Sequence, residues 1–141
     1  MDEITVITKS SQLIPISPLL NQLWPEEKKD YSIYLEKLFE NDYHLIFIEK
    51  NKEVIAFACM HIDDSLWSEK RFLELHVLVV DEKYRGQGVG STILTYIENF
   101  AQQNGCDFIQ LMSAIHREKA HGFYKEKGYI IEDVCFFKNI K

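Results

Sequence analysis

The sequence lacks long hydrophobic runs and closely spaced cysteines. No run in its 141 residues approaches the roughly 18 apolar residues of a membrane span. Its three cysteines, Cys59, Cys106 and Cys135, lie far apart, without the short paired spacings of a zinc site or a disulfide framework. We therefore expect three core thiols and no bound metal.

Basic residues are also in short supply. Sixteen Lys and Arg stand against 22 Asp and Glu, which gives a formal net charge of −6. A negative field opposes general binding to nucleic acid or to anionic membranes, and it favours cationic partners. The composition therefore predicts no nucleic-acid partner and no membrane partner.

Linker signals are missing as well. The chain has three prolines and six glycines, and they form no Pro-rich or Gly/Ser-rich stretch that would mark a boundary. We expect one domain spanning residues 1–141. The acidic start, Met1-Asp2-Glu3, contrasts with the basic stretch that opens a signal peptide, so a cytoplasmic location is expected.

Hydrophobic periodicity predicts alternating helices and strands. Pro15 and Pro18 interrupt the first helical pattern, and Gly105 follows the end of the longest one, where a C-terminal cap is expected. In chain order we expect a strand (4–7), a broken helix (10–24), a helix (26–40), antiparallel strands (43–49 and 53–62), a loop (63–70), a central strand (72–80), a glycine turn with a long helix, a strand (107–112), a helix (118–127) and a last strand (130–137).

The glycine turn is the segment with the clearest chemistry. It reads Arg85-Gly86-Gln87-Gly88-Val89-Gly90, between a strand and a helix. Glycines let backbone amides converge on an anion at a helix N-terminus, where the first N–H groups lack intrahelical partners. Ser91 and Ile93 stand where a dinucleotide fingerprint requires glycine or alanine, and no Gly-Lys-Ser/Thr follows. The turn is therefore either a phosphate-binding turn of another kind or a helix entry that binds no ligand.

Two motifs together resemble a known family. The pattern Arg85-x-x-Gly88-x-Gly90 follows a Val-rich strand, and about thirty residues on comes a second motif that runs from Ala120 to Tyr129. In this order they resemble the GNAT superfamily of acetyl-CoA-dependent N-acetyltransferases, closely over residues 72–129. The resemblance implies an α/β fold with a mixed sheet, in the order β-α-α-β-β-β-α-β-α-β, splayed between strands 4 and 5 to admit acetyl-CoA.

The resemblance also implies which residues hold the co-substrate acetyl-CoA. A strand that parts from its neighbour leaves amides unpaired, and an amide-containing pantetheine arm can complete the sheet. An N–H at Leu78 would also stabilise the developing oxyanion. Arg117 stands where members often carry asparagine, so it could instead pair with a CoA phosphate or an acidic acceptor. The expected cofactor-binding residues are Leu78, Val79, Val80, Arg85, Gly86, Gln87, Gly88, Val89, Gly90, Arg117 and Tyr124.

Acetyl transfer to an amine needs a base and an acid beside the thioester. In the family's pattern Tyr124 donates to the CoA sulfur, and Glu74 stands where some members keep their base; His76 is the second candidate because of its ordinary pKa near 6.5. Glu74 and His76 are two apart, so we expect them on one face with Leu78 and Val80. Each assignment has a structural alternative. Tyr124 could be a packed aromatic residue, and Glu74 and His76 could be solvated or hydrogen-bonded residues near the end of a strand. His121 is expected to be structural, and His44 and His61 stay unassigned.

The expected acceptor is a primary amine of a small molecule, such as a polyamine or an aminoglycoside, or of a peptide. An acidic surface attracts protonated amines, and Asp63, Asp64 and Glu69 could line the acceptor site. A homodimer could form if residues 130–137 offered a strand edge to a partner chain. The alternative functions are a non-catalytic acetyl-CoA or CoA sensor and an α/β interaction module.

Overall fold

Five strands form one mixed sheet. The computed structural model describes residues 3–141, apart from the side chain of Ile14, and the chain divides into two units, Met1–Leu111 and Met112–Lys141. The first unit contains β1 (Ile4–Val6), a 3₁₀ helix (Ser10–Ile16), α1 (Ser17–Leu20), α2 (Ser32–Glu40), β2 (His44–Lys50), β3 (Glu53–Ser65), β4 (Lys70–Val80), a 3₁₀ turn (Glu82–Tyr84), α3 (Val89–Gln103) and β5 (Phe108–Leu111); the second contains α4 (Glu118–Glu126).

The strand order is β1-β2-β3-β4-β5. The first three pairings are antiparallel and β4 pairs with β5 in parallel, across the α3 connection. This is the predicted mixed sheet, in which antiparallel strands precede a β-α-β crossover. The prediction of the α/β fold is therefore confirmed.

The sheet of the first unit is covered on both faces. In β3 the six residues 55–60 are all buried, as expected of a strand with helices on either side. One face packs against the N-terminal helices through Leu13, Ile16, Leu35, Phe57 and Val79. α3 contributes its own apolar stripe, made by Val89, Ile93, Leu94, Ile97 and Ala101.

Turn chemistry explains where the predicted boundaries hold and where they move. Asn51 and Lys52 both have positive φ, of 52° and 65°, as a two-residue hairpin turn requires. The loop predicted over residues 63–70 is shorter in the structure and covers only the turn 66–69, because β3 and β4 stay paired up to Ser65 and Lys70. Backbone N–H and C=O groups form hydrogen bonds between strands whether the side chains are polar or apolar. The hairpin therefore extends beyond the residues that show the hydrophobic strand pattern.

The second predicted helix, 26–40, begins six residues later than predicted, at Ser32. The Asp30 carboxylate accepts hydrogen bonds from the Ser32 amide (2.9 Å) and hydroxyl (2.6 Å). Before it, Asn21 exchanges hydrogen bonds with the backbone of Lys29. These side-chain bonds offer the backbone an alternative to the helix.

The predicted last strand, residues 130–137, is wrong. Residues 130–141 have no regular secondary structure, and Phe136 is 94% exposed. A strand needs a partner edge, which apolar composition alone does not supply. The prediction of three core thiols is also wrong, because Cys59 is buried but Cys135, in this segment, is exposed. The homodimer stays a prediction without the strand that motivated it.

A β-bulge in β4 changes which side chains share a face. Leu75 opposes Met60 and Val77 opposes Cys59, so His76 is an extra residue between two consecutive pairs. Such a bulge shifts the alternation of the strand by one residue. Leu78 and Val80 oppose Ala58 and Ala56, on the face opposite Glu74. The expectation that Glu74 shares a face with Leu78 and Val80 is therefore wrong.

His44 joins β2 to α3. Its ring lies 4.0 Å from that of Phe100, nearly parallel, and its Nε2 shares a 2.9 Å hydrogen bond with the Tyr96 hydroxyl. Burial lowers the pKa of His44. Because the folded state favours the neutral ring, its contribution to stability is present above the ordinary pKa of about 6.5 and is lost as the pH falls through the lowered pKa.

We expect His44→Phe to flatten the pH dependence of stability. Phenylalanine keeps the stacking with Phe100 but does not titrate. Urea denaturation at pH 7.5 and pH 5.5 should therefore show a smaller drop in the free energy of unfolding for the variant than for the parent protein. An equal drop in both proteins would mean that His44 does not contribute to the acid sensitivity.

Candidate functional site

The glycine turn begins α3. Gly88 is the N-cap residue with φ of 83°, and Gly86 has φ of 76°; both lie in the left-handed region that favours glycine. A Cβ built at either position meets nothing within 4 Å, so the space beside the turn is open. The first amides of a 15-residue helix lack intrahelical acceptors and carry its positive dipole end. The turn can therefore bind an anion.

Side chains hold this turn in place. The Arg85 Nε donates to the Val80 carbonyl at 3.0 Å, and the side-chain amide of Gln87 donates through its Nε2 to the Lys83 carbonyl at 3.3 Å. The buried Asp81 carboxylate accepts from the Lys83 amide at 2.9 Å. The positive charges of Lys83 and Arg85 lie on the exposed side of the turn, where they oppose the negative net charge of the chain.

β4 and β5 are paired over part of their length. Their register runs from Phe72–Phe108 to Leu75–Leu111, whereas β4 continues to Val80. Within the first unit, residues 76–80 therefore have no strand on the β5 side, and backbone groups in this position need another partner. An unpaired strand edge that leads into an anion-binding turn fits the amide-rich arm and the pyrophosphate of acetyl-CoA.

Polar side chains form a row across the sheet, on the face of the N-terminal helices. Glu74 opposes His61 on β3 and pairs with Gln110 on β5. The Glu74 Oε2 is buried and has no hydrogen-bond partner among the described residues. Burial raises the pKa of Glu74, the Gln110 amide lowers it, and the nearby Asp63 carboxylate raises it, with a net upward shift. A buried acceptor without a donor is costly, so this oxygen suits a ligand N–H or a water.

His76 lies beside this row, at the bulge. Its ring centroid is 5.2 Å from that of Tyr43. Partial burial, followed by repulsion from His61, lowers the pKa of His76. The ring is therefore neutral near pH 7, which is the form that accepts a proton.

The second unit holds the other two predicted site residues. Arg117 is the residue before α4, and Tyr124 lies within that helix with its ring 5.3 Å from Phe123 and 5.7 Å from Tyr129. Burial raises the pKa of Tyr124, while the positive charge of Arg117 lowers it, with a net upward shift. The phenol therefore stays protonated at neutral pH and can donate a proton. His121 has a structural contact, from its Nε2 to the Ala114 carbonyl at 2.9 Å.

The acids expected at the acceptor site lie in the β3–β4 hairpin. Asp63, Asp64 and Glu69 are exposed, and the Asp64 carboxylate pairs with the Arg71 Nε at 3.3 Å. Asp64 and Glu69 line a cleft of about 350 Å³ at the hairpin end. Since Glu74 does not line it, the cleft is apart from the row of polar side chains.

Sequence reasoning missed three members of this neighbourhood. Tyr43 and His61 stack with centroids 4.5 Å apart, and Gln110 lies beside Glu74. Their spacing along the chain carries no signal, because the register of β3, β4 and β5, together with the position before β2, brings them together. The four consecutive apolar residues after His76, Val77 to Val80, agree with a bulge but do not indicate one by themselves.

A mixed sheet that parts beside a glycine turn and a helix N-terminus defines the class of α/β N-acyltransferases. The chain belongs to the acetyltransferase (GNAT) family, whose model matches residues 13–129. It is an acyltransferase, and enzymes of this family use acetyl-CoA as co-substrate.

Individual proteins agree with this assignment. The chain is 31% identical over 127 residues to the uncharacterized N-acetyltransferase YhfO of Bacillus subtilis, covering 86% of this chain and 85% of YhfO. It is 31% identical over 96 residues to an aminoalkylphosphonate N-acetyltransferase of Salmonella typhimurium, covering 68% of this chain and 62% of that protein.

Solved structures share the fold. An aminoglycoside acetyltransferase, meta-AAC0020, from an uncultured soil metagenomic sample in complex with sisomicin aligns with a TM-score of 0.85 at 17% identity, over 99% of this chain and 97% of that one. A protein described as a transcriptional regulator from Bacillus halodurans aligns with a TM-score of 0.87 at 18% identity, over 99% and 100% of the two chains. Within residues 3–141, no helix is both long and apolar enough to span a membrane.

Proposed function

We propose that this protein transfers the acetyl group of acetyl-CoA to a primary amine of a small molecule or a peptide, by direct attack in a ternary complex. The observation that carries the proposal is the buried Glu74 Oε2, which has no hydrogen-bond partner among the described residues. It lies on β4 one residue before the pairing with β5 ends. A proton acceptor therefore lies close to the strand edge that would hold the acetyl donor, acetyl-CoA.

The proposed residues for acetyl-CoA follow the turn and this edge. The amides of residues 85–90 would bind the pyrophosphate, and the backbone of Leu78, Val79 and Val80 would bind the pantetheine arm and the thioester carbonyl. Arg117, in the second unit, is proposed to pair with a CoA phosphate. Bound acetyl-CoA supplies an acetyl group activated as a thioester.

Glu74 is proposed as the base that takes the proton from the acceptor amine, directly or through a water. Its raised pKa brings the carboxylate nearer to the working pH, where a base is most effective. His76 is proposed as the second proton acceptor beside it, because its lowered pKa keeps the ring neutral. When the C–S bond of the thioester breaks, Tyr124 is proposed to donate its phenolic proton to the departing CoA thiolate, which leaves as the thiol.

We base the proposed class of acceptor on the charge of the β3–β4 hairpin and on the names of similar proteins. Exposed acids on the β3–β4 hairpin favour a protonated amine as the partner, and the names of two similar proteins concern an aminoalkylphosphonate and an aminoglycoside. We propose a polyamine, an aminoglycoside or a lysine-bearing peptide. The cytoplasmic location, the single domain and the homodimer stay predictions.

Calorimetric titration of acetyl-CoA, paired with thiol release across a panel of amines, tests the proposal. The panel holds polyamines, aminoglycosides, aminoalkylphosphonates and lysine peptides. Binding near micromolar with turnover on one amine class is the expected result. Binding without turnover on any amine would favour a sensor, and no binding would overturn the assignment of the glycine turn.

We expect Glu74→Gln to lower kcat by about 100-fold, the lower end of the usual range for general base catalysis, because His76 remains beside it. The KM for acetyl-CoA should change little, since Glu74 is not among the residues proposed to bind it. Glu40→Gln is the matched control, at the exposed end of α2. Full activity in Glu74→Gln would remove Glu74 from the proton transfer.

A further inference from the structure

Tyr43 contacts two histidines on neighbouring strands. Its ring centroid lies 4.5 Å from that of His61 with an interplanar angle of 29°, and 5.2 Å from that of His76 with an angle of 52°. The Tyr43 amide donates to the Leu38 carbonyl of α2 at 3.2 Å. The tyrosine is thus anchored at the end of a helix while its ring lies against both imidazoles.

The sheet register explains this placement. His44 opposes Met60, so Tyr43 comes next to His61, which in turn opposes Glu74 on β4. The bulge then supplies an extra residue, His76, on the same strand as Glu74. The position before β2 and the strands β3 and β4 therefore bring Tyr43, His61 and His76 together, and His61 lies opposite the residue that has the unpartnered carboxylate oxygen.

The His76 ring is only partly covered. The residue is exposed to solvent on the bulge while neighbouring groups partly bury the imidazole, and free rotation about its side-chain bonds would spread the ring over several rotamers. The Tyr43 ring restricts that rotation by contact, and aromatic pairs of this geometry are favourable beyond their buried area. Proton transfer depends on such positioning, because small misplacements cost large factors in rate.

We propose that Tyr43 and His61 are positioning residues that hold the His76 imidazole in place for proton transfer from the acceptor amine. The inference rests on the proposed function and adds two residues to it. Tyr43 acts through its ring face, so its hydroxyl is dispensable. His61 acts through its contact with Tyr43 and its place opposite Glu74.

A double-mutant cycle separates positioning from folding. We expect Tyr43→Ala and His76→Ala each to lower kcat by about tenfold, with the KM for acetyl-CoA within about twofold because neither residue contacts the turn. The double variant should be no slower than His76→Ala alone, since coupled residues are not additive. Tyr43→Phe, which keeps the ring, should restore most of the rate.

The controls identify what failed if the result differs. Tyr34→Ala removes an exposed tyrosine of α2 and should keep the parent kcat. Losses that multiply in the double variant would show that Tyr43 acts independently of His76, which would overturn the inference alone. If His76→Ala were fully active while Glu74→Gln was slow, the proposed function would stand and the inference would fail. If the parent protein released no thiol with any amine, both would fail.

A measurement without turnover completes the test. The ring protons of His76, assigned by comparison with His76→Ala, report in the proton NMR spectrum whether an aromatic face lies against them. We expect their resonances to shift in Tyr43→Ala and to stay near the parent position in Tyr43→Phe. Unchanged His76 resonances in Tyr43→Ala would overturn the contact in solution, even for a variant whose activity falls.

Discussion

Gly88→Glu is expected to abolish detectable acetyl-CoA binding, with a loss of affinity of about 1000-fold or more. Gly88 has φ of 83° at the N-cap of α3, and a side chain there extends into the open space in front of the turn. Its carboxylate would occupy the anion site itself, since negative groups are favoured at a helix N-terminus. Isothermal titration of acetyl-CoA into the variant measures the effect.

Gly105→Glu is the matched control. Gly105 also has positive φ, of 72°, and open space around a Cβ, but it lies at the other end of α3. Both substitutions carry the same backbone strain, about 1–2 kcal/mol for a left-handed residue, so thermal denaturation should show similar losses of stability. Micromolar binding retained by Gly88→Glu, with equal stability of the two variants, would exclude the turn as the pyrophosphate site.

Tyr124→Phe is expected to lower kcat by about 500-fold, within the range for loss of a general acid. The variant keeps the ring contacts with Phe123 and Tyr129 and loses the hydroxyl, whose pKa burial raises. The affinity for acetyl-CoA should stay within about fivefold, because one neutral hydrogen bond contributes about 1 kcal/mol in net terms. Steady-state thiol release and calorimetry on the same preparation measure the two quantities.

Tyr129→Phe controls for the loss of a hydroxyl in the same unit. It should keep the parent kcat, since Tyr129 has no proposed part in the proton transfer. Equal and small effects in Tyr124→Phe and Tyr129→Phe would leave Tyr124 as a packed aromatic. Tight binding by a parent protein that shows no turnover at all would instead support a sensor.

The elements with strong local signals could be predicted from the sequence. The spacing of Arg85, Gly88 and Gly90 indicated an anion-binding turn, and both glycines that follow α3 and α4, Gly105 and Gly128, have the positive φ of a helix end. These features depend on backbone sterics within a few residues, which is why a linear pattern reports them. Residues 130–137 have the apolar pattern of a strand, but a strand also needs a neighbouring strand edge to pair with. The local pattern does not report such an edge, so the strand prediction was wrong there.

The sequence by itself determined the fold class, and it predicted the anion-binding turn at Gly88 and the candidates Glu74, His76 and Tyr124. Tertiary structure alone decided that His76 is a bulge residue, which moves Leu78 and Val80 to the face opposite Glu74. It also decided that Tyr43, His61 and Gln110 belong beside Glu74. Strand register brings together residues from β3, β4 and β5 and from the position before β2. Neither their types nor their spacings record that register, because it depends on backbone hydrogen bonds between segments distant in the chain.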